Sequence, residues 1–282
     1  MHVFEIDLHY HAGQERRENK SLRDYIDFAH MTGRKILGIT DHDTRYGTRL
    51  REGPQHYPQS IEGMMQYRQD LDELRSDFPS MQIFFAPELS SVFEYKTMDD
   101  RIIDISDYFI CEPASNHEEM ELYTELMISE LERTKAIANH TGKPTYMAHP
   151  FRYRLLNRIS EGRTLPEGYM GACSMTDEEV MELIGLDIVA FADHAVSLGV
   201  AIEINGGTHY RLRSFNAPYY LDALRHAFKI LHRRGVSLVP ASDLHGFAPG
   251  QSGLSVPKET FEMLGITARD IGFLNQIGAK VE

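Results

Sequence analysis

Cysteine is scarce. Cys111 and Cys173 are the only two, far apart and in no C-x-x-C arrangement, which argues against a disulfide framework or a zinc knuckle and fits a reducing compartment. Apolar runs are short as well. None approaches the roughly 18 residues of a membrane span, and the N-terminus lacks the basic and apolar regions of a secretory leader. A cytoplasmic protein with no membrane partner is expected. Positive charge is also in deficit, since 29 Lys and Arg against 42 Asp and Glu leave a formal charge of −13. A field of that sign repels phosphate polyanions, so a small molecule is expected as partner rather than long nucleic acid; an oligomer is allowed.

What is present reads as alternating β and α segments. Seven short apolar or β-branched runs are expected as strands: Val3 to Leu8, Lys35 to Thr40, Gln82 to Ala86, Ile105 to Ile110, Thr145 to Ala148, Val200 to Ile204 and Ser237 to Ala241. Helical patterns lie between them, at Ser21 to Thr32, Ser60 to Asp77, Glu118 to His140, Asp177 to Leu198 and Pro218 to Arg234. In the first, Ser21 and Asp24 suit a capping box, Leu22, Tyr25, Ile26 and Ala29 make a stripe, and Gly33 marks the end. This alternation predicts a parallel sheet wrapped by helices. The 282 residues suffice for one α/β domain with a full core. Two stretches, Arg45 to Pro58 and Arg152 to Ser174, read as long connections that would form a lid or pocket wall.

Histidine and carboxylate collect at the ends of these strands. His9 and His11 follow the first, His42 the second, Glu88 the third, His117 the fourth and His149 the fifth; Glu203 ends the sixth, and Asp243 and His245 follow the seventh. In a parallel barrel all strand C-termini open on one face, so residues remote in sequence converge there. Burying so much imidazole and carboxylate costs several kcal/mol per unpaired group unless a cation organises it. Mixed nitrogen and oxygen donors suit Zn, Fe or Mn better than Ca or Mg. Two or three divalent ions are therefore expected.

Asp7-Leu-His9-Tyr-His11, Ile39-Thr-Asp-His42-Asp, Pro87-Glu88-Leu-Ser, Met147-Ala-His149-Pro, Glu203-Ile-Asn205 and Ser242-Asp243-Leu-His245 resemble, in order, the motifs of the PHP (polymerase and histidinol phosphatase) family. The resemblance implies a distorted (β/α)7 TIM-like barrel with up to three metals. It places a first ion on His9, His11 and Asp243, with Glu88 bridging to a second on His117 and His149, and a third on His42 and His245. His140 is the alternative to His117. Where the family commonly has an acidic residue five positions after the H-x-H, this chain has Arg16, so Glu15 or Glu18 would substitute or the third ion would be absent. Glu203 and Asn205 would orient a histidine or a water.

The implied activity is hydrolysis of a small phosphomonoester or phosphodiester by a metal-bridging hydroxide, with Glu88, His42 and His245 as catalytic residues. Arg152 and Arg154, directly after His149-Pro, would bind phosphate, with Arg45 a weaker candidate. Amide or cyclic-amide hydrolysis on the same centre is the alternative, and a metal-stabilised regulatory module is the non-enzymatic one.

Overall fold

The strands form two parallel sheets. The computed structural model describes residues 1–12, 20–42, 61–114, 120–160, 175–246 and 257–281. Among them, β1 (Ile6–Tyr10), β2 (Ile36–Ile39) and β3 (Gln82–Phe85) form one sheet in that order. The second runs β4 (Glu88–Leu89), β5 (Phe109–Cys111), β6 (Thr145–Met147), β7 (Ala201–Asn205) and β8 (Leu238–Ala241), in sequence order. Every pairing is parallel. β1, β2 and β5 to β8 are buried along their whole length, as strands covered on both faces must be.

The helices are α1 (Leu22–Met31), α2 (Ile61–Arg75), α3 (Asp100–Ile105), α4 (Met120–Thr141), α5 (Arg152–Ser160) and α6 (Asp177–Ile184). They continue with α7 (Ile188–Leu198), α8 (Gly206–Ser214), α9 (Pro218–Arg233), α10 (Lys258–Leu264) and α11 (Gly272–Gln276). Among the described residues no helix is long and apolar enough to cross a membrane. α1 starts on the expected capping box, in which Ser21 accepts from the Asp24 amide while the Asp24 carboxylate accepts from the Ser21 amide. It buries Leu22, Tyr25, Ile26 and Ala29.

Three expectations are revised. An eighth strand, β4, stands where only a connection was expected after the third: Pro87 has no N–H to give, Ala86 N still donates to Ile39 O (2.9 Å), and Glu88 then begins pairing with β5. The helix expected over Asp177 to Leu198 is two helices, because Gly185 adopts a left-handed conformation (φ 71°) that caps α6 and Asp187 caps α7. The connection expected from Arg152 begins instead as α5, whose arginines Arg152, Arg154 and Arg158 are buried rather than solvated. Residues 161–174 and the stretch Arg45 to Pro58 lie outside the described residues.

Backbone hydrogen bonds connect the two sheets on both sides. Glu88 N donates to Asp41 O (3.1 Å) beyond β2, and on the other side Asp243 N donates to His9 O (2.7 Å) and His11 N to Leu244 O (2.9 Å). Below this layer the interior is tight: the Tyr108 and Tyr146 hydroxyls each donate to Leu8 O at 2.7 Å. A Cβ on Gly38 would stand 1.8 Å from the Tyr108 hydroxyl oxygen, which leaves room there only for glycine.

Candidate metal centre

Alternation along β1 places Asp7, His9 and His11 on one face, and the parallel arrangement brings the ends of β2, β4, β6, β7 and β8 around them. His9 is fully buried. Its Nδ1 lies 3.0 Å from Glu203 Oε2, a carboxylate that can only accept, so the proton sits on Nδ1 and Nε2 is directed into the centre. There it meets His11 Nε2 at 3.1 Å, Glu88 Oε2 at 3.2 Å and Asp243 Oδ1 at 3.5 Å.

Glu88 faces two ways. Oε1 lies 3.2 Å from His149 Nε2, while Oε2 lies 3.0 Å from His42 Nδ1 and 3.4 Å from His11 Nε2. Asp243 Oδ1 is 2.8 Å from His245 Nε2 and 3.2 Å from His11 Nε2. Asp243 has a left-handed backbone (φ 55°), uncommon outside glycine, which turns its carboxylate toward β1. The His11 ring stacks on His245 with centroids 4.0 Å apart and tilts against His42 at 4.7 Å.

These donors fall into three groups, each with its atoms within 4.8 Å of one another: His9, His11 and Asp243; His9, Glu88 and His149; and His11, His42 and His245. Within them, Glu88 Oε2 and Asp243 Oδ1 are buried oxygens that receive no hydrogen bond. Lone pairs that converge without protons between them fit a divalent cation, and imidazole with carboxylate is a borderline donor set of the kind zinc, iron and manganese accept.

The electrostatics agree. Burial opposes a charge on His9, yet Glu88 and Glu203 lift its imidazole to about 10, so the position calls for a positive charge. Burial and the neighbouring His245 and His42 hold His11 well below its usual range, and burial and Arg152 lower His149. Both present neutral nitrogens. Glu88 and Glu203 stay ionised despite the cost of burial, chiefly because of His9.

His117 and Glu15 lie outside the described residues, as do Glu18 and Arg45. His140, the alternative to His117, is exposed at the end of α4 with its ring edge-on to Tyr95. Arg154 donates to Ile184 O (3.3 Å) and lies over the Tyr123 ring. Arg152 donates to Asn205 Oδ1 (2.8 Å), to Thr208 Oγ1 (3.3 Å) and to Asp243 Oδ2.

Two carboxylates were not singled out in the sequence. Asp41, just before His42, accepts from Ala12 N (3.2 Å) and the Tyr67 hydroxyl, and stands 3.8 Å from His11 Nδ1. Its place inside the Thr-Asp-His motif was the available signal. Asp7 accepts from Ser242 N (2.8 Å) and so fixes the turn that carries Asp243; its two-residue offset from His9 was the clue.

The sequence matches no family model and no curated protein. Solved structures do resemble it. Overlays on a Mycobacterium tuberculosis protein (10% identity, 93% of this chain and 92% of that one, TM-score 0.41) and on a Thermotoga maritima phospho-2-dehydro-3-deoxyheptonate aldolase (10%, 98% and 72%, 0.37) carry no argument. A histidinol phosphate phosphatase from Lactococcus lactis, solved with zinc, L-histidinol and phosphate, overlays on 93% of this chain and 94% of its own at 12% identity and TM-score 0.57. The chain shares the fold of that phosphatase.

Proposed function

We propose that this chain is a metal-dependent phosphoesterase of the PHP type, acting on a small phosphomonoester or phosphodiester. The observation that carries the reading is the convergence of three donor groups around Glu88, His9 and His11, with buried oxygens that lack hydrogen bonds. The zinc and phosphate in the overlaid phosphatase support it, as does the order of the motifs. The hydrogen bonds on both sides of the sheets favour treating β3 and β4 as one interrupted strand of a distorted seven-stranded barrel in a single domain.

In this reading His9, His11 and Asp243 would hold one ion and His149 and His117 a second, with Glu88 shared between them, and His42 and His245 would hold a third together with Glu15 or Glu18. Bound ions of zinc, iron or manganese supply Lewis acidity and bring the pKa of water toward neutrality. Glu203 keeps the His9 proton on Nδ1. His42 and His245 are partly exposed at the rim, 27% and 19% by side chain, so either can pass a proton to the leaving group where the third group holds no ion.

Elemental analysis of purified protein should give about two to three transition-metal ions per chain, since the donors exceed what one tetrahedral or octahedral site uses. A phosphoester panel with Mn²⁺, Fe²⁺ and Zn²⁺ should then show turnover. Less than about half an ion per chain after reconstitution overturns the metal centre. Turnover of amides alone replaces the phosphoesterase with an amidohydrolase.

A further inference from the structure

Arg152 sits where a phosphate clamp was expected, but its guanidinium is buried and hydrogen-bonded to Asn205, Thr208 and Asp243. We infer that Arg152 is a positioning residue: it fixes Asp243 for an ion and, through Asn205 and Glu203, ties Asp243 to His9. The inference rests on the metal-centre reading above.

The guanidinium divides the Asp243 carboxylate. Oδ2 is taken by Arg152 Nη2, while Oδ1 is left among His245, His11 and His9 at 2.8 to 3.5 Å. One oxygen is committed to the protein and one is offered to an ion, so the aspartate binds through a single oxygen. The same Nη2 donates to Asn205 Oδ1 at 2.8 Å. That amide cannot flip, because its Nδ2 donates to Glu203 Oε1 and its Oδ1 also accepts from Thr208 N at 2.6 Å. Glu203 in turn orients His9 at 3.0 Å. The chain of contacts His9, Glu203, Asn205, Arg152, Asp243 therefore closes on the ion position from both sides, linking ligands from the first and last strands.

The seat is built for a fork rather than a point charge. Arg152 is 5% exposed and reaches β7, α8 and the turn after β8 at once. A lysine has one nitrogen for those three acceptors. The space is already full: a Cβ on Gly207 would stand 3.1 Å from Asn205 Oδ1 and 3.2 Å from Arg152 Nη2. A guanidinium so held has its Nε and Nη2 committed to protein acceptors before any substrate arrives.

A phosphate clamp and a positioning residue respond differently to mutation. Zn²⁺ affinity is measured by competition with a chromophoric chelator for the parent, Arg152→Ala, Arg152→Lys and Asn205→Ala, each first checked by circular dichroism for a folded chain. Both arginine variants should bind zinc about 10- to 100-fold more weakly, the usual effect of removing a partner behind a ligand, and Asn205→Ala several-fold more weakly. At saturating zinc, KM for a phosphomonoester should stay within about threefold of the parent. Parent-like zinc affinity in the arginine variants, with KM raised about tenfold or more, overturns the inference and restores the clamp while leaving the metal centre standing. Should Arg152→Ala not fold, parent-like affinity in Asn205→Ala together with Arg152→Lys overturns it equally. A parent that binds no zinc, iron or manganese overturns both this inference and the proposed function.

Discussion

Two histidines in this molecule are equally hidden from water and belong to opposite worlds. His9 on β1 is 0% exposed and His209 on α8 is 3% exposed. Glu88 and Glu203 lift His9 to about 10 in spite of its burial, whereas burial pushes His209 down to about 4. The partners explain the contrast. His209 Nδ1 faces Asn205 O at 2.8 Å and therefore carries the proton, leaving Nε2 to accept from the Thr260 hydroxyl at 2.9 Å, and its ring stacks on Phe228. Each nitrogen has a neutral partner and nothing more is needed. His9 has one nitrogen satisfied by a carboxylate and the other among nitrogens and oxygens that offer no proton. Burial alone does not make a site; uncompensated charge and unshared lone pairs do.

The sharpest way to break this contrast is through Glu88, the carboxylate proposed to be shared by two ions. Glu88→Ala should reduce kcat about a thousandfold or more, the equivalent of several kcal/mol of transition-state stabilisation, and should cost more than any single histidine change. His209→Gln should stay within a few-fold of the parent in kcat. Steady-state kinetics on the best phosphoester of the panel decides it. If Glu88→Ala kept near-parent turnover while His9→Ala abolished it, Glu88 would not bridge two ions.

Removing the ions should come next in size. Whatever binds the folded chain alone stabilises it by about 4 kcal/mol at a thousandfold excess over its dissociation constant, so chelation should lower the thermal midpoint of the parent. The same treatment should move His9→Ala much less, because His9 takes part in two of the three groups, and should move His209→Gln as much as the parent. Equal shifts for parent and His9→Ala, read by differential scanning fluorimetry, would detach His9 from the ions.

Much of this was visible in the sequence for a physical reason: a ligand set must use histidine and carboxylate, and in a parallel sheet it must use them at strand ends. His9, His11, His42, Glu88, His149, Asp243 and His245 were all readable that way, as was α1, whose cap and stripe are local. What was not readable depends on contacts between distant segments. Arg152 and Asp243 are 91 positions apart, so a guanidinium committed to Asp243 read as a phosphate clamp and α5 as a loop. Gly185 broke a helix whose apolar pattern ran straight through it, and β4, two residues long, was too short to leave a pattern of its own. Asp41 was hidden because its partners, Tyr67 and Ala12, come from a helix and from just beyond β1, whose approach no spacing announces.

The smallest of the expected effects isolates His209, and its sign follows from the direction of its shift. An unfolded chain exposes His209 with an ordinary pKa near 6.5, while the folded chain holds it at about 4. Above pH 6.5 both states are neutral there, and the residue adds no pH dependence. As pH falls from about 6.5 toward 4, the unfolded chain takes up a proton that the folded chain refuses, and stability drains away. Over that window the loss approaches about 3 kcal/mol, from 1.36 kcal/mol per pKa unit. Below 4 both states are protonated and the loss levels off. His209→Gln cannot take the proton, so denaturant unfolding of the chelator-treated parent and variant should give stability curves that converge as the pH drops. The variant should be the less stable near neutrality, where the parent has both its hydrogen bonds. Parallel curves between pH 6.5 and 4 would mean that His209 protonates freely in the fold, and the distinction drawn between it and His9 would lose its neutral half.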